Sequence, residues 1–170
     1  MEKQSLLHTM FFGNRSASYN ACEAIAAYNG MVSLQREPSF PQVLTEFEED
    51  GLCFRGAFGT APKKVERFFA SKGLRTKAVS GKKITEQAAC ELEKCFECFV
   101  VTVYNDKNNI LAMVHTMCIT RVEEGFCAHN TSVGAVSGQS LYGLVAGLNN
   151  GTAKPLWLMG VGERREIRLE

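Results

Sequence analysis

The stretch Ser18-Tyr-Asn-Ala-Cys-Glu-Ala-Ile-Ala-Ala-Tyr-Asn29 decides the fold of the first part of the chain. Apolar residues at helical spacing predict an amphipathic helix from about Ala21 to Gln35. Asn20 is a good N-cap and Glu23 follows three positions later, so the pair predicts a capping box. Cys22 is then the second helical residue, where the helix dipole and unpaired N–H groups favour negative charge. Both effects predict a lowered thiol pKa and a larger fraction of nucleophilic thiolate.

Two interpretations of Cys22 are open at this stage. A cysteine in the first turn of a helix, with a histidine far downstream, is the arrangement expected of a cysteine protease or acyltransferase. The alternative is a small buried hydrophobic residue at a helix start, because free cysteine is among the most buried residue types.

Length and composition restrict the class of protein. A chain of 170 residues fits a single domain over 1–170, and its 45% apolar and 22% charged residues are ordinary for a globular protein. A net charge of +1 gives no electrostatic reason to expect nucleic acid or an anionic membrane as partner. Residues 1–8 lack the apolar run of a signal peptide, so we expect a cytoplasmic protein whose seven cysteines are reduced.

The pattern of the remaining chain predicts an α+β domain in which helices come first and an antiparallel sheet second. Further helices are predicted over 39–51, 60–73, Thr85–Lys94 and Gln139–Leu148. Strands are predicted over Arg75–Val79, Phe99–Tyr104, Ile110–Val122, Phe126–Asn130 and Pro155–Val161, and Gly134–Gly138 is predicted to be a turn.

Three histidines are candidates for a general base: His8, His115 and His129. His8 lies in the first residues and is the weakest candidate. His115 interrupts a row of apolar residues that share one face of a predicted strand. It is either a histidine at the core edge, satisfied by a backbone carbonyl, or a base that takes the proton of Cys22.

A third group normally orients such a base, and Asn130, at the end of the next strand, is the candidate. A tight hairpin at Glu124-Gly125 would place a residue near position 133 opposite His115. Asn130 therefore requires a bulge or a turn that is centred earlier, and Thr131 or Ser132 are the alternatives.

A cysteine, a histidine about 90 residues later and an asparagine about 15 residues after that follow the papain-like order. The chain resembles the compact C39-like cysteine peptidases of bacteria over most of its length. The similar segments are Phe12–Cys22, Ile25–Asn29, Phe58–Thr60, Val114–Thr116 and Gly125–Asn130.

This resemblance implies a papain-like, C39-like fold and a cysteine hydrolase that needs no cofactor. Cys22 would attack a peptide or amide bond, His115 would act as base and then acid, and Asn130 would orient the imidazole. Leader-peptide processing and acyl transfer share the acyl-enzyme step. A catalytically silent domain that binds peptides is the alternative.

The chain departs from the family at two positions. Glu23 stands where the family often has glycine, and Ser16 stands where it often has the glutamine that donates to the oxyanion. Asn14, Ser16 or Asn20 would then have to act with the N–H of Cys22 as oxyanion donors.

A zinc or redox site at Cys90, Cys95 and Cys98 is a third interpretation. Lys94–Phe99 contains one C-x-x-C, but no second pair exists in the sequence. A zinc site would have to borrow Cys53, Cys118, Cys127 or a histidine. Incidental or structural thiols are therefore favoured, without a bridge or a metal between Cys95 and Cys98.

Overall fold

The computed structural model describes residues 1–49, 60–109 and 113–163. Its α-helices are α1 (Ala17–Asn20), α2 (Cys22–Ser33), α3 (Phe40–Glu49), α4 (Pro62–Ser71), α5 (Glu86–Cys95) and α6 (Leu141–Gly147). Its strands are β1 (Phe11–Phe12), β2 (Arg15–Ser16), β3 (Arg75–Ser80), β4 (Cys98–Tyr104), β5 (Val114–Val122), β6 (Gly125–Thr131), β7 (Gly134–Gly138) and β8 (Lys154–Gly162).

Six of the strands form an antiparallel sheet in the order β3-β8-β4-β5-β6-β7. The short β1 and β2 pair separately as a hairpin. The predicted α+β class is confirmed. No helix in the described ranges has the length and apolar character that crossing a membrane requires.

Helices cover both faces of this sheet. One core joins α2, α3 and α4 to Val100 of β4, Cys118 of β5 and Met159 of β8. A second core joins α5 and α6 to Val101 of β4 and Ile119 of β5. The side chains of each strand alternate between the two cores, as the pleat requires. The sequence predicted the first helical layer on the sheet, and the structure adds the second.

Helix α2 is buried on nearly all sides because its residues are small. Ala24, Ala26 and Ala27 are fully buried, and a Cβ added at Gly30 would lie 2.8 Å from Cζ of Phe69. This lack of bulk lets the helix backbone approach the sheet closely.

Most predicted elements exist, with ends that differ by a few residues. The capping box is wrong: Asn20 belongs to α1, the N-cap of α2 is Ala21, and no side chain caps that helix. The turn predicted at Gly134–Gly138 is wrong as well, because this segment pairs with β6 as an edge strand. The predicted helix end at Gly51, Phe58-Gly59 of the family segment, the strand start at 110–112 and Cys53 lie outside the described residues.

We expect Gly160→Ala to destabilise the fold. A Cβ at Gly160 would lie 2.4 Å from Cδ2 of Phe96, a side chain of the second core, and overpacking of this kind costs about 1–3 kcal/mol. Gly162→Ala is the matched control, because its Cβ would lie 3.4 Å from the same ring. Urea unfolding should show a loss for the first variant and a change within about 0.5 kcal/mol for the second. Equal stabilities would contradict this packing.

Candidate functional site

Cys22 is the first residue of α2 and lies in the interface between this helix and β5. It is only 7% exposed, as expected for the buried of the two interpretations of this residue. Its surroundings are polar: Sγ donates to Oε2 of Glu23 at 3.3 Å, and both the N–H and the hydroxyl of Thr116 contact the sulfur. Among the described residues, the thiol therefore has a carboxylate and a threonine of β5 as its partners.

Glu23 is a buried carboxylate, with 4% of its surface exposed. Its Oε1 accepts from Oγ1 of Thr116 at 3.5 Å, and the N–H of Thr60 also donates to the carboxylate. Oγ1 of Thr116 lies 3.0 Å from Oγ1 of Thr102 on the neighbouring β4. A chain of polar groups thus runs from the sulfur of Cys22 through the carboxylate into the sheet.

Burial controls the ionisation of both groups. It raises the pKa of the Cys22 thiol well above its ordinary value, and the negative charge of Glu23 raises it further. Burial also raises the pKa of Glu23 to about 7, although the hydrogen bonds that the carboxylate accepts oppose this shift. The thiol pKa therefore moves in the direction opposite to the one predicted from the helix dipole, and Cys22 is a protonated thiol at neutral pH.

His115 lies one residue from the partner of Cys22, but its side chain points to the other face of the sheet. Thr116 faces α2, as its contact with Glu23 shows, and successive side chains of a strand alternate. His115 therefore shares its face with Met117, which packs in the core against α5 and α6. The structure does not bring imidazole and thiol into the predicted pair.

His115 contacts Asn130, but the contact is to the backbone carbonyl of Asn130 and not to its side chain. Nε2 of His115 lies 2.6 Å from the backbone carbonyl oxygen of Asn130, which can only accept, so Nε2 donates. In the neutral ring the lone pair then lies on Nδ1. Burial lowers the pKa of His115, and the carbonyl contact opposes this, so the ring is neutral at pH 7.

A local distortion of β6 makes this contact possible. The β5–β6 ladder ends at the pair Cys118↔His129, and the β6–β7 register shifts between Ala128 and Thr131. Asn130 sits at this irregularity with φ 65°, a left-handed conformation that asparagine tolerates better than most residues. The bulge that the sequence required for a meeting of His115 and Asn130 is therefore present.

The side chain of Asn130 holds the first residues of the chain instead of the imidazole. Its Oδ1 accepts from the N–H of Gln4 at 2.7 Å, and its Nδ2 donates to Oε1 of Gln4 at 3.4 Å. Asn29 of α2 binds the backbone of Glu2 through both its amide atoms, at 2.6 and 2.9 Å. Two buried asparagines thus fix residues 2–4 across the helix and the sheet.

His115 and Asn130 line a cavity of about 640 Å³, a volume within the range of small-molecule sites. Three of the four non-glycine residues with positive φ in the described ranges border it, namely Asn130, Asn149 and Asn150. Backbone strain of this kind is often concentrated at functional sites. Cys22 is not among the lining residues, whereas Ser18, one helical turn before it, is.

The three predicted oxyanion donors differ in their surroundings. The hydroxyl of Ser16 contacts the carbonyls of Leu7 and His8 and the hydroxyl of Ser18. The amide nitrogen of Asn20 donates to the carbonyl of Phe12 at 3.0 Å. Asn14 is exposed in the turn of the β1–β2 hairpin. Two of the candidates therefore hold the segment before α2 in place.

The cysteines of the C-x-x-C do not act as a unit. Cys95 is exposed at the end of α5, whereas Cys98 is fully buried in the first core, with its sulfur 3.7 Å from that of Cys118. Cys90 is exposed on α5. Within the described ranges, no group of three or more histidine, cysteine or acidic side chains has a geometry suited to a metal ion.

The other two histidines lie apart from this arrangement. Nε2 of His129 is 2.8 Å from the hydroxyl of Thr120, and burial lowers the pKa of this half-buried ring. His8 is exposed.

From the sequence, Glu23 was predicted to be a capping residue and a departure from the family pattern, and Thr116 was the end of a similar segment. Neither residue was predicted to contact Cys22. One feature of the sequence could have indicated that Glu23 is buried. Ala-Cys-Glu-Ala-Ile-Ala-Ala places a single acidic residue inside a run of small apolar ones, so a helix buried on all sides must bury that carboxylate.

Comparison with solved structures finds a similar fold in the peptidase domain of Streptococcus ComA, a bifunctional ABC transporter involved in a quorum sensing pathway. The TM-score is 0.54 at 11% sequence identity, over 84% of this chain and 91% of that one. ComA is a C39 peptidase, so the family resemblance is supported at the level of the fold. No protein-family model matches the sequence, and no curated protein matches it.

We expect Glu23→Gln to become progressively more stable than the wild type as the pH rises. Glu23 has a folded pKa of about 7 against about 4.3 in the unfolded chain, so its neutral form favours folding. That contribution is complete below pH 4 and is lost as the pH rises through 7. The stability difference between variant and wild type should grow by roughly 2–3 kcal/mol from pH 5 to pH 8 in urea unfolding.

Glu91→Gln is the control for this experiment, because it removes the same charge from an exposed side chain. Its stability difference from the wild type should vary little with pH. A difference for Glu23→Gln that stays constant between pH 5 and pH 8 would contradict a buried, neutralised Glu23.

Proposed function

We propose that this protein is a cysteine hydrolase that cleaves a peptide or amide bond through an acyl-enzyme on Cys22. The observation that carries the proposal is the position of Cys22. In a fold similar to that of a peptidase domain, it is the first residue of the central helix, in hydrogen-bond contact with a carboxylate. A buried thiol beside a proton acceptor is the minimum that an activated nucleophile requires.

His115 is the proposed base for the water that hydrolyses the acyl-enzyme. Its Nε2–H donates to the carbonyl of Asn130, so the neutral ring keeps a basic Nδ1, and the side chain lines a cavity that can hold water and substrate. Nδ1 takes a proton as the water oxygen attacks the thioester carbon. When the C–S bond breaks, the proton passes from the imidazolium to Sγ of Cys22 through water, because the imidazole and the thiol lie on opposite faces of β5. Asn130 acts here as the residue that orients the imidazole.

A catalytically silent peptide-binding domain is the second candidate, and the surroundings of Cys22 and Asn130 favour it. Cys22 is nearly buried with a raised pKa and does not line the cavity, whereas Asn130 already binds the backbone of Gln4 at the cavity wall. A domain of this kind would bind extended peptides there without reacting.

Acylation by p-nitrophenyl acetate separates the two candidates. For a hydrolase, intact-mass spectrometry should show an acetyl group on Cys22, formed faster than on the exposed Cys90, and Cys22→Ser should abolish both this adduct and the steady-state release of p-nitrophenolate. Cys90→Ser is the matched control and should leave the release of p-nitrophenolate unchanged. Labelling of Cys22 no faster than that of Cys90 would favour the silent domain.

We expect His115→Ala to slow hydrolysis of the acetyl-enzyme by about 10²-fold or more, because it removes the base for the attacking water. The acetyl adduct on Cys22 should then persist in the mass spectrum. His8→Ala, at an exposed histidine outside the cavity, should leave its lifetime unchanged. The same adduct lifetime in His115→Ala and the wild type would show that His115 is a structural residue of the strand.

A further inference from the structure

The buried carboxylate of Glu23 lies in the position that a general base for Cys22 must occupy. Its Oε2 is 3.3 Å from Sγ, and the thiol donates along this line. The imidazole of His115, by contrast, lies on the opposite face of the sheet and is hydrogen-bonded to Asn130. Proton transfer needs the acceptor within hydrogen-bond reach of the donor, so geometry favours Glu23 for the first step.

We propose that Glu23 is a catalytic residue whose Oε2 takes the proton of the Cys22 thiol as the sulfur attacks. This proposal rests on the proposed hydrolase function and divides its two steps between two bases. Glu23, which lies on the α2 side of β5, accepts the thiol proton when the acyl-enzyme forms. His115, which lines the cavity, accepts the proton of the water that hydrolyses the acyl-enzyme.

The surroundings of Glu23 hold it in place for this role. Oγ1 of Thr116 donates to Oε1, the N–H of Thr60 donates to the carboxylate, and Oγ1 of Thr102 lies against the hydroxyl of Thr116. Among the residues that the structure describes, the groups that touch the carboxylate are the thiol, one hydroxyl and backbone N–H groups, and none of these carries a charge while the thiol is protonated. With Oε1 occupied by Thr116, Oε2 remains directed at the sulfur.

The proposed step is balanced. As Sγ forms a bond to the substrate carbonyl carbon, the S–H proton moves to Oε2 and the π-electron pair moves to the carbonyl oxygen. When this pair returns, the bond to the leaving nitrogen breaks, and the proton on Oε2 passes to that nitrogen. The thioester on Cys22 and an ionised Glu23 remain. The backbone N–H of Thr116, which contacts Sγ, stabilises negative charge that develops on the sulfur during the attack.

The ionisation of Glu23 also suits this role. A base is most effective when its pKa lies near the working pH, and burial brings the pKa of Glu23 to about 7. Acylation should therefore increase as the pH rises through about 7 and then level off, although the thiol itself ionises only at higher pH.

Single-turnover acylation of Cys22 by p-nitrophenyl acetate, followed against pH, tests the proposal. At pH 7.5, Glu23→Gln should acylate about 10²-fold more slowly than the wild type, and its rate should rise only with ionisation of the thiol. Alkylation of the same variant by iodoacetamide at pH 8 should be as fast as in the wild type or faster, because a negative neighbour that opposes the thiolate is gone. Glu91→Gln should match the wild type in both reactions.

Glu23→Asp keeps the carboxylate if the amide variant folds poorly. It should acylate more slowly than the wild type and still show the rise near neutral pH. A Glu23→Gln protein that acylates at the wild-type rate or faster would overturn the proposal, because the only effect of Glu23 would then be to oppose ionisation of the Cys22 thiol. So would a Glu23→Asp protein whose acylation follows thiol ionisation alone.

Failure of the hydrolase function itself would look different. In that case the wild-type Cys22 would acylate no faster than Cys90 at any pH. Slow acylation in His115→Ala at normal stability, combined with a wild-type rate in Glu23→Gln, would leave the hydrolase intact and return the first proton transfer to His115.

Discussion

The close packing of α2 on β5 is the constraint on which the rest of the structure depends. The helix can lie against the sheet because Ala24, Ala27 and Gly30 present almost no side-chain bulk. Its first two residues, Cys22 and Glu23, therefore enter the interface together and are largely removed from water. The properties of the site follow from that burial more than from the helix dipole, which contributes only about 0.3–1 kcal/mol at a helix end.

Burying a carboxylate is unfavourable unless hydrogen bonds replace its hydration. The N–H of Thr60, the hydroxyl of Thr116 and the thiol of Cys22 supply part of this replacement. The raised pKa of Glu23 shows that the compensation is incomplete. An apolar residue at this position would avoid the cost of burial, and an acid with a raised pKa beside a thiol is a feature that clusters at functional sites.

The sequence predicted the elements of the fold well because these depend on local pattern. The helix at Cys22–Ser33 and the strands at Cys98–Tyr104 and Lys154–Gly162 follow directly from hydrophobic periodicity. Predictions about the site failed where they depended on packing. Asn20 does not cap α2, since α1 runs almost directly into that helix and the amide of Asn20 binds the carbonyl of Phe12 instead.

The predicted contact between Cys22 and His115 failed for the same reason, because it depended on packing. Strand alternation could have indicated that Thr116 and His115 face opposite sides, but which side faces α2 depends on the sheet register. The His115–Asn130 contact likewise required a left-handed residue in β6, and its partner atom is a backbone carbonyl that no side-chain pattern encodes. The meeting of the two residues could be proposed from sequence, whereas the atoms involved could not.

A ¹³C NMR titration of the Glu23 carboxyl carbon, with its resonance identified by loss in Glu23→Gln, measures the ionisation that governs the site. The structure predicts a midpoint near pH 7, with Cys22 remaining a thiol throughout that range. A Glu23 midpoint near the ordinary value of about 4.3, together with a Cys22 thiolate below pH 8, would contradict it. That result would mean that the helix dipole and an imidazole, rather than a buried carboxylate, control the ionisation of Cys22.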